Sequence, residues 1–226
     1  LYQVEIPDID LKNRNKLVLS KGHAAPALYA ALKGIGVLNK EDLLTLRKIN
    51  SKLQGHPNMH DTKGVDMSTG SLGQGISCAV GIALANRIKK LECYTYCICG
   101  DGEFEEGQCY EALMAAKQYG LDHLILFLDH NGLQIDGKIE DVMCAAPFED
   151  KFKAFGFDVI TIDGHDFSQI ENAIEQMKCS KNPSAIVCNT IKGKGVSFME
   201  NQVSWHGKAP NDEQYQIAIK ELGGVL

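Results

Sequence analysis

No two cysteines stand in a C-x-x-C spacing, although the chain holds eight, at positions 78, 93, 97, 99, 109, 144, 179 and 188. Most lie in apolar runs such as Tyr94–Cys99, where a free thiol behaves as a small hydrophobe. That argues against a disulfide framework and for a reducing cytosol, so a cytoplasmic location is expected. No stretch of about eighteen apolar residues occurs, which argues against a membrane-spanning helix. The opening "LYQVEIPDIDLKNRNK" has no apolar signal-peptide core. Positive charge is also scarce. Lys and Arg number 23 against 29 Asp and Glu, a net charge of -6, and the arginines are Arg14, Arg47 and Arg87 alone. A nucleic-acid surface is therefore not expected. A small phosphorylated ligand stays open, because a few N–H groups and one metal ion can hold it.

Several motifs are missing too. Without G-x-G-x-x-G there is no dinucleotide fingerprint. "GLQIDGKI" (132–139) approaches a phosphate loop but places Ile139 where Ser or Thr is required. His56 and His60 are four apart, yet Pro57 disfavours a helix there and H-E-x-x-H is absent, so zinc is not expected.

What is present alternates. At 226 residues and 44% hydrophobic, the chain can bury one sizeable core. Residues 1–19 read as polar and irregular. Helices are expected over 23–34, 40–50 (capped by Asn39), 73–90, 107–119, 149–154, 168–178 and 212–222 (capped by Asn211). Strands are expected over 94–99, 124–128, 157–162 and 184–191. These strands are continuous apolar runs, which predicts an α/β fold: a doubly wound, mainly parallel sheet with helices on both faces. Without repeat or linker, residues 1–226 are expected to form a single domain.

In such a sheet, ligands bind beyond the carboxyl ends of the strands. "GDG" (100–102) and "DHNGLQIDG" (129–137) both fall there, after strands joined by one helix. Asp101 and Asn131, thirty residues apart, should then face each other and offer hard oxygen ligands to Mg²⁺ or Ca²⁺. Gly102 should let backbone approach a phosphate at a helix start. Glu103 and Glu105 read as favourable charge near that helix N-terminus. His23, His56 and His206 each sit beside glycine, in "KGHA", "QGHP" and "WHGK", where a lone loop histidine is usually just a surface or hydrogen-bonding group.

Taken together, "LSKGHAAPALYAAL", "LQGHPN", "STGSLGQGIS", "GDGEFEEGQ", "DHNGLQIDG" and "SWHGKAP" resemble the diphosphate-binding half of transketolase, from about Leu17 onward. The resemblance implies a thiamine diphosphate-binding (PP-type) domain that transfers a two-carbon ketol unit between sugar phosphates. It implies a metal held by Asp101, Asn131 and the Leu133 carbonyl. It further implies cofactor contacts from His23, Gly70, Leu72, Gly100, Gly102, Asn131, Ile135 and His206, and catalytic roles for His23, His56, His206 and Glu106. Glu106 and Glu111 match an acidic network at the contact between subunits, where a shared-proton relay needs carboxyl groups of raised pKa. The family also has an earlier segment with a Ser-Gly-His motif, and a pyrimidine-binding domain carrying an activating glutamate. Neither matches anything in this sequence, so the expected partner is a C-terminal transketolase subunit, in a dimer or heterotetramer. The rivals are another thiamine enzyme, resembling deoxyxylulose-phosphate synthase or a dehydrogenase component, and a non-catalytic cofactor-binding module.

Overall fold

The stretch "KLVL" forms the first strand, β1 (Lys16–Leu19), inside the segment expected to be irregular. Its three apolar residues are buried, and it pairs in parallel with the next strand, Leu17 beside Tyr96. The computed structural model describes residues 1, 5–6, 8–10 and 13–224. Residues 2–4, 7 and 11–12 of the expected irregular segment, and 225–226 of the expected domain, lie outside them.

After β1 come α1 (Ala25–Gly34), α2 (Lys40–Leu43), α3 (Gln74–Ile88), β2 (Thr95–Gly100), α4 (Gly107–Gln118) and β3 (Leu124–His130). A two-residue hairpin pair follows, β4 (Leu133–Gln134) and β5 (Gly137–Lys138), then α5 (Ile139–Val142) and α6 (Phe148–Ala154). The remainder is β6 (Asp158–Asp163), α7 (Phe167–Lys178), β7 (Ser184–Asn189) and α8 (Asp212–Glu221). The five long strands form one sheet ordered β1-β2-β3-β7-β6, parallel throughout.

Alternation explains the apolar runs. Leu124, Leu126 and Leu128 of β3 enter a core with α3, α4 and α6, including Ile76, Leu113 and Phe152. Ile125 and Phe127 enter the opposite core with α1 and α7, including Leu32 and Ile174. Both faces of the sheet are buried here, so the strand is apolar at every position from 124 to 128.

One helix is shorter than expected. Asn39 makes a capping box with Asp42, as a good N-cap should, but α2 ends at Leu43. Arg47 and Asn50 take positive φ, 61° and 63°, which breaks any helix over 40–50. The other expected helices and strands are present within a few residues of their expected ends.

Candidate functional site

Every carboxyl end of the parallel sheet opens on one cavity of about 780 Å³. β1 delivers Lys21 and His23, β2 delivers Gly100, Asp101 and Gly102, and β3 delivers Asp129 and Asn131. From β7 come Thr190 and Lys192, and from β6 comes His165. A cavity of this size suits a cofactor-sized ligand.

The acidic wall is built by short loops. Asp101 is 2% exposed, and its carboxylate accepts from Gly102 N–H at 2.9 Å and from Gly132 N–H at 2.6 Å. The second bond locks the β3 exit to the β2 exit, so Asp101 and Asn131 line the same cavity. Burial raises the Asp101 pKa, and the two N–H donors oppose that. The Asn131 amide oxygen accepts from Leu133 N–H at 3.1 Å. Gly132 makes this turn with a φ of 73°, open to glycine at little cost. No group of three or more His, Cys, Asp or Glu among the described residues is placed to hold a metal. The expected set contains one carboxylate, one amide and one carbonyl, so it is of a different composition.

Facing the carboxylate is a cluster of bases. The His23 and His206 rings stack with centroids 5.1 Å apart, and Lys192 Nζ lies 3.2 Å from His206 Nδ1. Lost hydration, then repulsion from His206, Lys21 and Lys192, pushes the His23 pKa down to about 4. Desolvation and the neighbouring lysines lower His206 as well, and desolvation and Lys21 lower Lys192. Lys21 is ion-paired to Asp129, which also accepts from the Thr190 hydroxyl. Burial alone would raise the Asp129 pKa, but Lys21, Thr190 and Asn131 outweigh it and hold it low.

The third wall is the segment around Gly70. Thr69 donates its hydroxyl to the Leu19 carbonyl at 2.6 Å, tying this segment to the end of β1. His56 packs on Gly70, where a Cβ would come 3.0 Å from the ring. Its loop is held by Tyr29, buried, whose hydroxyl donates to Gln54 O at 2.9 Å.

Eleven expected site residues line this cavity: His23, His56, Gly70, Leu72, Gly100, Asp101, Gly102, Asn131, Leu133, Ile135 and His206. Glu106 and Glu111 do not. Both are exposed on or beside α4, with Glu106 at its N-cap. Two expectations need correction. The Gly102 N–H is not free for a ligand, because the Asp101 carboxylate takes it. Glu103, expected as favourable charge near a helix N-terminus, is instead a buried, hydrogen-bonded group well ahead of α4, which begins only at Gly107. It sits 2% exposed in a 3-10 turn (Gly102–Glu105) anchored by Phe104, which packs edge-on against Tyr110, Phe148 and Phe152. Lys21, Asp129, Thr190, Lys192 and His165 are site residues that sequence reasoning does not single out. Their one available signal is position at or just past the carboxyl end of a strand.

Residues 3–224 match the family described as "Transketolase, thiamine diphosphate binding domain". The chain is 49% identical over 210 residues to the 6-deoxy-6-sulfo-D-fructose transketolase subunit SqwG of Clostridium sp. strain MSTE9, covering 92% of this chain and 76% of that one. It is 40% identical to a subunit of the apulose-4-phosphate transketolase of Phocaeicola vulgatus, covering 92% and 74%. Human transketolase is 38% identical over 93% of this chain, which spans 33% of that protein. The crystal structure of Campylobacter jejuni transketolase superposes with a TM-score of 0.88 at 37% identity, over 94% of this chain and 34% of that one. The Pichia stipitis transketolase complex with sedoheptulose 7-phosphate gives 0.90 at 33% identity, over 96% and 34%.

Proposed function

Because the chain belongs to the transketolase thiamine diphosphate-binding domain family, we propose that the cavity holds that cofactor together with a divalent cation such as Mg²⁺, and that turnover requires a second, C-terminal subunit. The chain is a transferase of the transketolase type, with thiamine diphosphate as its cofactor. One observation carries the binding mode. His23, His206 and Lys192 gather at the strand ends, His23 stacked on His206 and Lys192 beside it. Burial and then neighbouring positive charge, Lys21 acting on all three, lower their pKa values. Such a cluster is under-neutralised until an anion enters, and a diphosphate supplies the missing charge.

On this reading, Asp101, Asn131 and the Leu133 carbonyl hold the cation, a hard oxygen set suited to Mg²⁺ or Ca²⁺. When bound, thiamine diphosphate supplies the electron sink for breaking and making the carbon–carbon bond. Leu72, Phe127 and Ile135 offer apolar surface to the rest of the ligand. His23, neutral at pH 7 before the cofactor enters, and His56 line the cavity, where they can exchange protons with substrate oxygens. The exposure of Glu106 and Glu111 supports assigning the contact with the partner to α4 and its N-terminus. The eight free cysteines support assigning the protein to the reducing cytoplasm.

The test is co-expression with a candidate partner, assayed with ketose and aldose phosphates. Ketol transfer by the pair is expected. Tight thiamine diphosphate binding without turnover by any pair would favour the non-catalytic module instead.

Proton uptake gives a second check. An anion raises the pKa of His23 from its value of about 4 and that of His206 from its lowered position, so binding at pH 7 should consume protons. Affinity should then rise by up to about tenfold per pH unit, per proton taken up, as pH falls from about 8 to about 6. Calorimetry in two buffers of different ionisation enthalpy measures this. Without ligand the sign reverses: the lowered His23 pKa removes stability as pH falls from 6.5 towards 4. Binding with no proton uptake anywhere between about pH 8 and about pH 5 would place the histidines away from the diphosphate.

A further inference from the structure

Glu103 and Ser20 are among the few buried polar side chains, 2% and 0% exposed. The Glu103 carboxylate collects three donors. The Ser20 hydroxyl and the Gly73 N–H, the latter at 2.9 Å, both reach Oε1, while the Gly100 N–H reaches Oε2 at 3.1 Å. Each donor belongs to a different wall of the cavity. Ser20 leads into Lys21 and His23, Gly73 follows Gly70 and Leu72 at the head of α3, and Gly100 precedes Asp101 and Gly102.

Among the described residues, no other side chain hydrogen-bonds to all three segments. The approach is tight as well as bonded: a Cβ on Gly75 would come 2.6 Å from Ser20 Cα, so the first turn of α3 presses on the β1 exit. A carboxylate is costly to bury, and here its oxygens are matched by three donors from chain segments 20, 73 and 100.

We propose that Glu103 is a positioning residue for the cofactor site, setting the spacing of its three walls through the backbone it holds. The proposal rests on the thiamine diphosphate reading of the cavity. Its chemical logic is pre-organisation: if the walls drift apart, only a fraction of molecules are competent, and apparent affinity falls by that fraction.

The test compares Glu103→Gln with the wild type, in the full protein assembled with its C-terminal partner. The amide side chain keeps the shape but turns one acceptor into a donor facing a backbone N–H or the serine hydroxyl. An unmatched buried donor pair of this kind corresponds to about a tenfold effect. Amide hydrogen exchange at Gly73 and Gly100, measured without cofactor, should speed up by about that factor. The thiamine diphosphate dissociation constant in Mg²⁺ should rise about tenfold, while kcat at saturating cofactor stays within about threefold. Ser20→Ala removes one donor without touching the backbone and should raise the dissociation constant about threefold, with a melting temperature only a few degrees lower. It decides the matter if Glu103→Gln does not fold. Unchanged cofactor affinity in both variants, beside normal wild-type binding, overturns the positioning role alone. A wild-type complex with no affinity for thiamine diphosphate overturns the cavity reading and this proposal with it.

Discussion

Asp101→Ala should lower thiamine diphosphate affinity in Mg²⁺ by at least about a hundredfold. Two losses combine. Asp101 is the single carboxylate of the proposed cation set, and removing one hard anionic ligand leaves the cation and diphosphate charges poorly compensated. The same side chain accepts from Gly132 N–H at 2.6 Å, so its removal also frees the β3 exit and strands a donor in a part-buried site. Asp101→Asn separates the two effects. It can still accept from Gly132 but brings no charge, so it should hold the loop and still bind the cation poorly. Calorimetric titration with Mg²⁺ and cofactor measures both variants. Wild-type affinity in Asp101→Ala would discard the cation assignment.

The legible parts of this fold are those where one local pattern decides. Residues 124–128 of β3 are all apolar because helices cover both faces, and the run stops at Asp129, where the strand reaches the cavity. Asn211 caps α8 with a capping box to Gln214, a signal complete within four residues. β1 is hidden because only three apolar residues stand in a polar stretch, and it is an edge strand recruited by pairing with β2. β4 and β5 are two residues each, too short for any periodicity.

The site divides in the same way. Asp101 and Asn131 can be placed together because β2 and β3 are consecutive strands that also pair. Lys21, Asp129, Thr190 and Lys192 cannot, since Lys21 reaches Asp129 only from the hidden edge strand β1, and Thr190 and Lys192 only because β7 lies beside β3. No local pattern encodes that order. Glu103 reads as one more acid in a run of three, and only its burial beneath the β1 exit distinguishes it.

Gly22 is legible as a residue beside His23 but not for its reason, and that reason gives the sharpest steric expectation. A Cβ at Gly22 would lie 2.7 Å from Gly70 N and 2.8 Å from the Thr69 carbonyl carbon. Both atoms are backbone, so no rotamer change can relieve the overlap. The obstructed segment is also tied to β1 by the Thr69–Leu19 bond, so the strain must push the His23 turn away from Gly70 and Leu72. Gly22→Ala should therefore cost about 1–3 kcal/mol of stability, as overpacking does. For a chain of this size that is a melting point lower by about 2–4 °C per kcal/mol. The larger effect is on the site, because the turn carrying His23 and the segment carrying Gly70 form facing walls of the cavity. A displacement near 1 Å can cost about a hundredfold, and kcat/KM in the reconstituted complex should fall by about that much. Gly34→Ala is the matched control. It lies at the end of α1 with nothing within 4 Å of an added Cβ, so it should be neutral or slightly stabilising. Equal melting points and equal turnover in the two variants would show that the contact between the His23 turn and the Gly70 segment is loose enough to take a methyl group, and that its closeness does not shape the site.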